Sequence, residues 1–409
     1  MGAAYATAAP PAAPPAAPPA APPAAADADD FNDGFDVTAP PVLHGVPFAG
    51  RARFSVLSHL RAAHSSGGGI FGFMTMRESN KLRVQCAEAR AEVAAFEWMD
   101  ARWARPYTVD DSRVTKSSAV WRGAFPAACA INVSKREDLR DADFVHIRGG
   151  PGVQLHTVRM AHCHGVTDAA FAHLRGVHTL EMWGCPQNTI TDAAFSHLRG
   201  IHTLSMSCCN QRTITDAAFA HLRGIHTLNM YGCVQDTITD AAFAHLAGFH
   251  TLNMVLCTQL TDAAFAHLRG IHTLNITGPK MTDAAFAHLR GIHTLIMRSC
   301  HTITDAAFVH LLGIHTLDMA FCSSITDAAF AHLVGIHTLR MRWCMQTSIT
   351  DAAFAHLTGI HTLDMSSCDQ ATITPAAMAH LHGVEVLQTT DCAPAVVAAA
   401  AALLARGAA

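Results

Sequence analysis

Apolar and polar positions follow two rhythms in turn, and the pair recurs eleven times between Arg140 and Cys392. In the stretch from Ile214 to Cys233, the apolar Ala218, Phe219 and Leu222 sit at spacings of one, three and four residues. Such spacing gathers them on one face of a short helix. After Gly224 the period changes: Leu228 and Met230 stand two apart, the rhythm of a strand. Thr215 is placed to cap the helix, its hydroxyl accepting a backbone N–H of the first turn. Asp216 then occupies the first helical position, where a negative charge meets the positive end of the helix dipole. In the last unit Pro375 follows Thr374 in place of the Asp, and the first helical position tolerates proline. Gly224 is expected to stop the helix in a left-handed conformation.

The Asp of the T-D-A-A-F block, or its substitute, falls at 141, 168, 192, 216, 240, 262, 283, 305, 327, 351 and 375, a spacing of 27 residues once and 21 to 24 otherwise. Self-similarity at that period marks a solenoid, in which each unit buries its apolar face only against its neighbours. One unit contributes about eight apolar side chains at roughly 1.5–3 kcal/mol each before chain entropy is set against them. It cannot stand alone; a stack can. The run Leu222, Ile225, Leu228, Met230, Cys233 resembles the leucine-rich-repeat consensus, in the cysteine-containing form found in F-box proteins. The resemblance implies an α/β horseshoe of about eleven units. These units are a few residues shorter than that class usually runs, so the convex helices should be short.

Ten units keep a cysteine five residues after the strand leucine or its valine equivalent, and Pro279 takes the place in the other. In this register cysteine reads as a small buried hydrophobe with a weak donor. No C-x-x-C pair exists to suggest a metal site or a stapled framework. Thirteen cysteines kept as thiols suit a reducing compartment. Histidine is unusually abundant, 28 of 409 residues, and forms two ladders. One follows the helix phenylalanine, from His146 to His380; the other precedes the strand, from His156 to His361. Each imidazole reads as the cap of a neighbouring backbone group, copied by repeat duplication. The sharper alternatives are a metal or proton buffer and a pH sensor, since stacked imidazoles repel one another once protonated.

Side chains of a strand alternate between core and open face. The residues flanking the strand methionine therefore point away from the core, and there the otherwise near-identical units differ: Glu181/Trp183, Asn229/Tyr231, Ile296/Arg298, Asp318/Ala320, Arg340/Arg342 and Asp364/Ser366 are examples. Leu256, Phe321 and Trp343 sit one place further on. A fixed scaffold with a changing face suits recognition, and drift at exposed sites would look the same. Trp183, Tyr231, Arg298, Arg340, Arg342 and Trp343 are the expected contacts on the concave face, because aromatics and arginine dominate interface energies.

Outside the repeats, residues 1–41 read as an extended alanine/proline-rich and acidic arm without a signal-peptide pattern. Residues 42–100 contain V-L-S-H-L, then N-K-L-R-V-Q-C-A-E-A-R-A-E-V, then Trp98. That succession is similar to the F-box pattern, although the usual leucine-proline opening is missing and a glycine-rich loop lengthens the middle. The resemblance implies that Leu57, Leu60, Leu82 and Val84 contact a Skp-type adaptor, and that the chain selects substrates for a Skp–cullin–F-box ubiquitin ligase. Residues 101–139 read as a connector packing onto the first unit, 140–392 as the repeats, and 393–409 as a sealing helix. No phosphate loop, G-x-S-x-G, H-E-x-x-H or dinucleotide glycine signature occurs. His162-Cys163-His164 is a cluster that only one unit carries. A net charge of −4 leaves no nucleic-acid footprint, and no apolar run reaches membrane-spanning length. The expectation is a non-enzymatic, cofactor-free, cytoplasmic or nuclear protein that binds another protein. A leucine-rich-repeat scaffold without a ubiquitin role is the other reading.

Overall fold

The structure, a computed structural model, describes residues 118–148, 152–246, 248–277 and 281–407. The arm, the F-box-like segment with Leu57, Leu60, Leu82 and Val84, and Pro279 lie outside the described residues. Twelve three-residue strands make one parallel sheet in chain order. They are β1 Ala130–Asn132, β2 Thr157–Arg159, β3 Thr179–Glu181, β4 Thr203–Ser205, β5 Thr227–Asn229 and β6 Thr251–Asn253, followed by β7 Thr273–Asn275, β8 Thr294–Ile296, β9 Thr316–Asp318, β10 Thr338–Arg340, β11 Thr362–Asp364 and β12 Val386–Gln388. Equivalent residues pair throughout, as where Leu339 stands between Leu317 and Leu363. The middle residue of each repeat strand points into the core, and its neighbours face outward. This is the leucine-rich-repeat solenoid that the periodicity implies.

The helices are as short as the unit length requires. Most are single four-residue turns such as Asp216–Phe219, and 3-10 turns occur at Ala172–Leu174, Asp240–His245, Ala355–Leu357 and Pro375–His380. Thr215 caps its turn by accepting the N–H of Ala217 at 3.2 Å, and Gly224 has φ +80°. One strand was not read from the sequence. β1 lies in the segment taken as a connector, where Ile131-Asn132-Val133 repeats the strand pattern without the flanking Thr and Cys, and Lys135 takes the left-handed turn of the later units (φ 64°). At the other end the helix Pro394–Gly407 packs on Pro375–His380 and buries Val396 and Ala400.

The core is a set of columns. Ten phenylalanines from Phe144 to Phe354 are fully buried and superposed unit on unit, beside columns of Leu, Ile, Met and Cys. Polar groups fasten the stack. Each repeat aspartate from Asp141 to Asp351 reaches the next unit, where its two oxygens accept the N–H and the hydroxyl of the capping threonine; Asp216 does so to Thr239 at 2.7 Å each. Cysteines reach back instead. The Cys233 thiol donates to the Met206 carbonyl at 3.1 Å, and eight other repeat cysteines make the equivalent bond. In five units a glutamine adds a third tie, as where Gln235 Nε2 donates to the Cys209 carbonyl at 2.9 Å. Pro375, which lacks a carboxylate, precedes a helix that has no threonine to receive one.

Candidate functional site

The histidines before the strands form a continuous column. From His156 to His361 ten imidazoles stack face to face, with neighbouring ring centroids 4.2–4.5 Å apart and planes within 12–17° of parallel. Each Nδ1 shares a hydrogen bond with the hydroxyl of the threonine that follows, 3.0–3.2 Å away. The partner is therefore a side chain and not the backbone group expected from the sequence. Glu385 replaces histidine in the last unit and meets His361 Nε2 at 2.9 Å. Parallel rings aim their in-plane lone pairs side by side, so two neighbours do not converge on one ion. Nor does a face-to-face pair pass a proton, for want of a donor–acceptor line between rings. Loss of hydration, and then the repulsion of a neighbouring imidazolium, hold His178, His202, His250, His272 and His293 below the ordinary histidine value.

The outer face of the sheet carries the variable side chains, and the six expected contacts divide between its ends. Trp183 follows β3 and meets His162 edge-on, ring centroids 4.2 Å apart. Tyr231 follows β5 with its phenol half-buried, and burial raises its pKa. Arg298, Arg340, Arg342 and Trp343 lie around β8 to β10. Seven strand steps separate Trp183 from Trp343, about 34 Å at the usual spacing. These residues are thus not one site. Some variable positions are also covered, contrary to a uniformly exposed face. Asp318 and Asp364 are 1% and 2% exposed, because the guanidinium groups of Arg298 and Arg342 close over them.

The turn after each strand supplies a second kind of position. The residue just before the cysteine has positive φ in every unit from His162 to Asp391 whose turn is described, near 55–65°. Gly184 and Gly232 take this conformation without strain, but Leu256, Phe321 and Trp343 hold large side chains in it. Phe321 and Trp343 stack in parallel, centroids 5.6 Å apart, and remain nearly half exposed. A concavity of about 750 Å³ runs from Arg342 and Trp343 past Ser366 and Gln388 to Asp391 and Val397. The sequence pattern marks Phe321 only as a neighbour of the expected contact positions.

None of the twelve cysteines among the described residues forms a disulfide. Burial pushes the Cys163, Cys257 and Cys344 thiols up to about 12 and Cys185 to about 11. Since the thiolate is the reactive form, a maleimide should label the exposed Cys208 first among these, and Cys129 next. Mass mapping should find the ten buried thiols modified only after unfolding. Early native labelling at Cys233 would show that the turns open.

Fold and surface together define a leucine-rich-repeat protein of the interaction type. More specifically, the BspA-type leucine-rich-repeat region matches in six copies over residues 166–293 and 260–380. That is more than half of the chain, and the protein belongs to this family. Comparison with curated proteins gives no match. Among solved structures the chain is similar to one from the yeast Rad7–Elc1 complex, at 12% identity over 78% of this chain and 95% of that one, with a TM-score of 0.40. It is similar also to a chain of the Drosophila Toll–Spatzle complex (14% identity, 66% of this chain, 43% of that one, TM-score 0.45) and of the mouse RP105/MD-1 complex (11%, 70% and 56%, TM-score 0.46). The chain spans about half or less of those last two. At such identities the relation says nothing of function. No helix among the described residues is long and apolar enough to cross a membrane.

Proposed function

We propose that the outer sheet face of this solenoid binds a partner protein, chiefly at its C-terminal end. One observation carries the reading. Of the ten described turns from His162 to Asp391, six hold glycine or a small or polar residue (Gly184, Cys208, Gly232, Ser299, Ser367 and Asp391), whereas Phe321 and Trp343 place aromatic rings there, nearly half exposed to solvent. A bulky residue in that conformation costs roughly 1–2 kcal/mol. Neither ring recovers that by entering the core, so a gain made outside the folded chain is the consistent explanation. Arginine and tryptophan are the residues that most often dominate interface energy, and Arg340, Arg342 and Trp343 supply both. Trp183 and Tyr231 would form a separate contact further along.

On the resemblance of residues 42–100 to the F-box pattern, we propose further that the bound protein is a substrate presented to a Skp–cullin–F-box ubiquitin ligase. Leu57, Leu60, Leu82 and Val84 would dock the adaptor, and the ligase chemistry would belong to the partners. The full chain, carrying a photo-crosslinking residue at Trp343 or at the exposed Val334 on the opposite, helical side, tests both parts when co-expressed with a Skp-type adaptor. The expected result is co-purification of the adaptor, abolished by L57A/L60A/L82A, and protein adducts from position 343 but not 334. Adducts without the adaptor would leave a binding scaffold with no ubiquitin role. Adducts from 334 alone would move the surface to the helices.

A further inference from the structure

The chemistry of the partner can be read from the charges at the C-terminal end of the outer face; this rests on the protein-binding reading above and adds to it. Arg298, Asp318, Arg340, Asp364 and Arg342 form one cluster across β8 to β11. Asp318 accepts Nε and Nη2 of Arg298 at 2.9 and 2.7 Å. Asp364 accepts Nε of Arg342, whose Nη2 also reaches Gln388 Oε1 at 3.2 Å. Both carboxylates are buried, and each is further occupied by a turn N–H, of Ala320 and Ser366 respectively. Arg340 stands in register between the two aspartates. Yet it pairs with neither, nor with any other carboxylate among the described residues. The cluster therefore holds one positive charge in excess, on a half-buried arginine that is the only member without an ionic partner.

Two further facts narrow the ligand. The stacked rings of Phe321 and Trp343 stand on the turns that follow β9 and β10, three residues along the chain from Asp318 and Arg340, so a partner segment that reaches the unpaired charge is also within reach of an exposed apolar surface. The concavity that adjoins Trp343 is lined by a single carboxylate, Asp391. A polyanion threaded along it would meet that repulsion. A chain carrying one negative group beside an apolar one would not.

We infer that this patch receives an extended peptide segment of a partner protein in which a carboxylate neighbours an aromatic side chain. The carboxylate accepts hydrogen bonds from the Arg340 guanidinium, a planar donor fork suited to two oxygens. The aromatic ring lies against Trp343, and the neutral remainder continues toward Asp391. Arg298 and Arg342, held by their aspartates, shape the walls and leave Arg340 as the recognising charge.

The test uses the full chain and fluorescence anisotropy at low ionic strength, where such attraction is least screened. The probes are labelled peptides of about twelve residues: one alternating Glu and Phe, one with Lys for Glu, one with Ala for Phe, and a single-stranded DNA of similar length. The Glu/Phe peptide should bind at least ~10-fold tighter than each of the others. Arg340→Gln should remove ~10-fold of that affinity. Trp343→Gly should weaken binding similarly while leaving the melting temperature unchanged or raised, because glycine relieves the left-handed strain. A Lys/Phe peptide bound as tightly in a Trp343-dependent way would overturn the acidic partner and keep the binding face. DNA bound as tightly as the Glu/Phe peptide would make this a general anion site and overturn the inference. Undiminished binding to Arg340→Gln would do the same. If no peptide binds a chain that melts normally, both the inference and its peptide-binding face fail.

Discussion

Replacing Asp216 by alanine should destabilise the solenoid by about 2–3 kcal/mol, although the side chain lies on the surface of a four-residue helix. Its two oxygens are the acceptors for both the N–H and the hydroxyl of Thr239. Hydrogen bonds to a charged acceptor contribute roughly 1.5–3 kcal/mol each, at or below the lower end here because Thr239 is exposed and water can replace the lost acceptor. Loss of the charge at the helix start adds about 0.3–1 kcal/mol. Asn in place of Asp retains one acceptor oxygen and should lose about half as much. Since each unit touches only its neighbours, the array should then unfold in two steps, divided between the units of Asp216 and Thr239. Calorimetry and amide exchange resolved by half would show it. A loss below about 1 kcal/mol, with a single transition retained, would mean that apolar stacking alone holds the units and the ladder of carboxylates is incidental.

Acidification is the second large effect. A histidine whose folded pKa is depressed stays neutral in the native chain while the unfolded chain takes up a proton, so stability is full above the unfolded value and falls as pH drops through it. The unfolded value is about 6.5, and at least five members of the stacked column lie below it when folded. The melting temperature should therefore hold between pH 8 and about 7, then fall progressively toward pH 5.5. The sign is opposite to that of a histidine held charged by a carboxylate. Asn at His250, His272 and His293 interrupts the column at its centre and should flatten the profile. An unchanged drop in that variant would place the titration elsewhere.

Much of one unit was legible before any coordinates. Threonine caps, the left-handed glycine and the strand period are local preferences, each decided within a few residues, and eleven copies of one pattern remove the ambiguity of any single copy. β1 escaped because Ile131 and Val133 carry the strand period without the threonine or cysteine that announces the others. What passes between units was not legible. Asp216 to Thr239, Cys233 to the Met206 carbonyl, and imidazole on imidazole are contacts between residues 23 to 27 apart whose geometry depends on the exact superposition of units. The contact residues were legible as a list and not as a place. Nothing in the sequence says that Asp318 and Asp364 would be occupied by Arg298 and Arg342 while Arg340 was not. That depends on which neighbouring rotamer reaches which oxygen.

The joint between one unit and the next has a direction and is almost the same at every internal position: an aspartate forward, a thiol back, a phenylalanine on a phenylalanine. Cutting out one whole unit at its threonine–aspartate boundary would bring together two surfaces that already fit, and inserting a copy would do likewise. The number of units is thus a quantity that gene duplication and deletion can alter without redesigning a single contact. Reach along the solenoid is inherited separately from what is displayed on it.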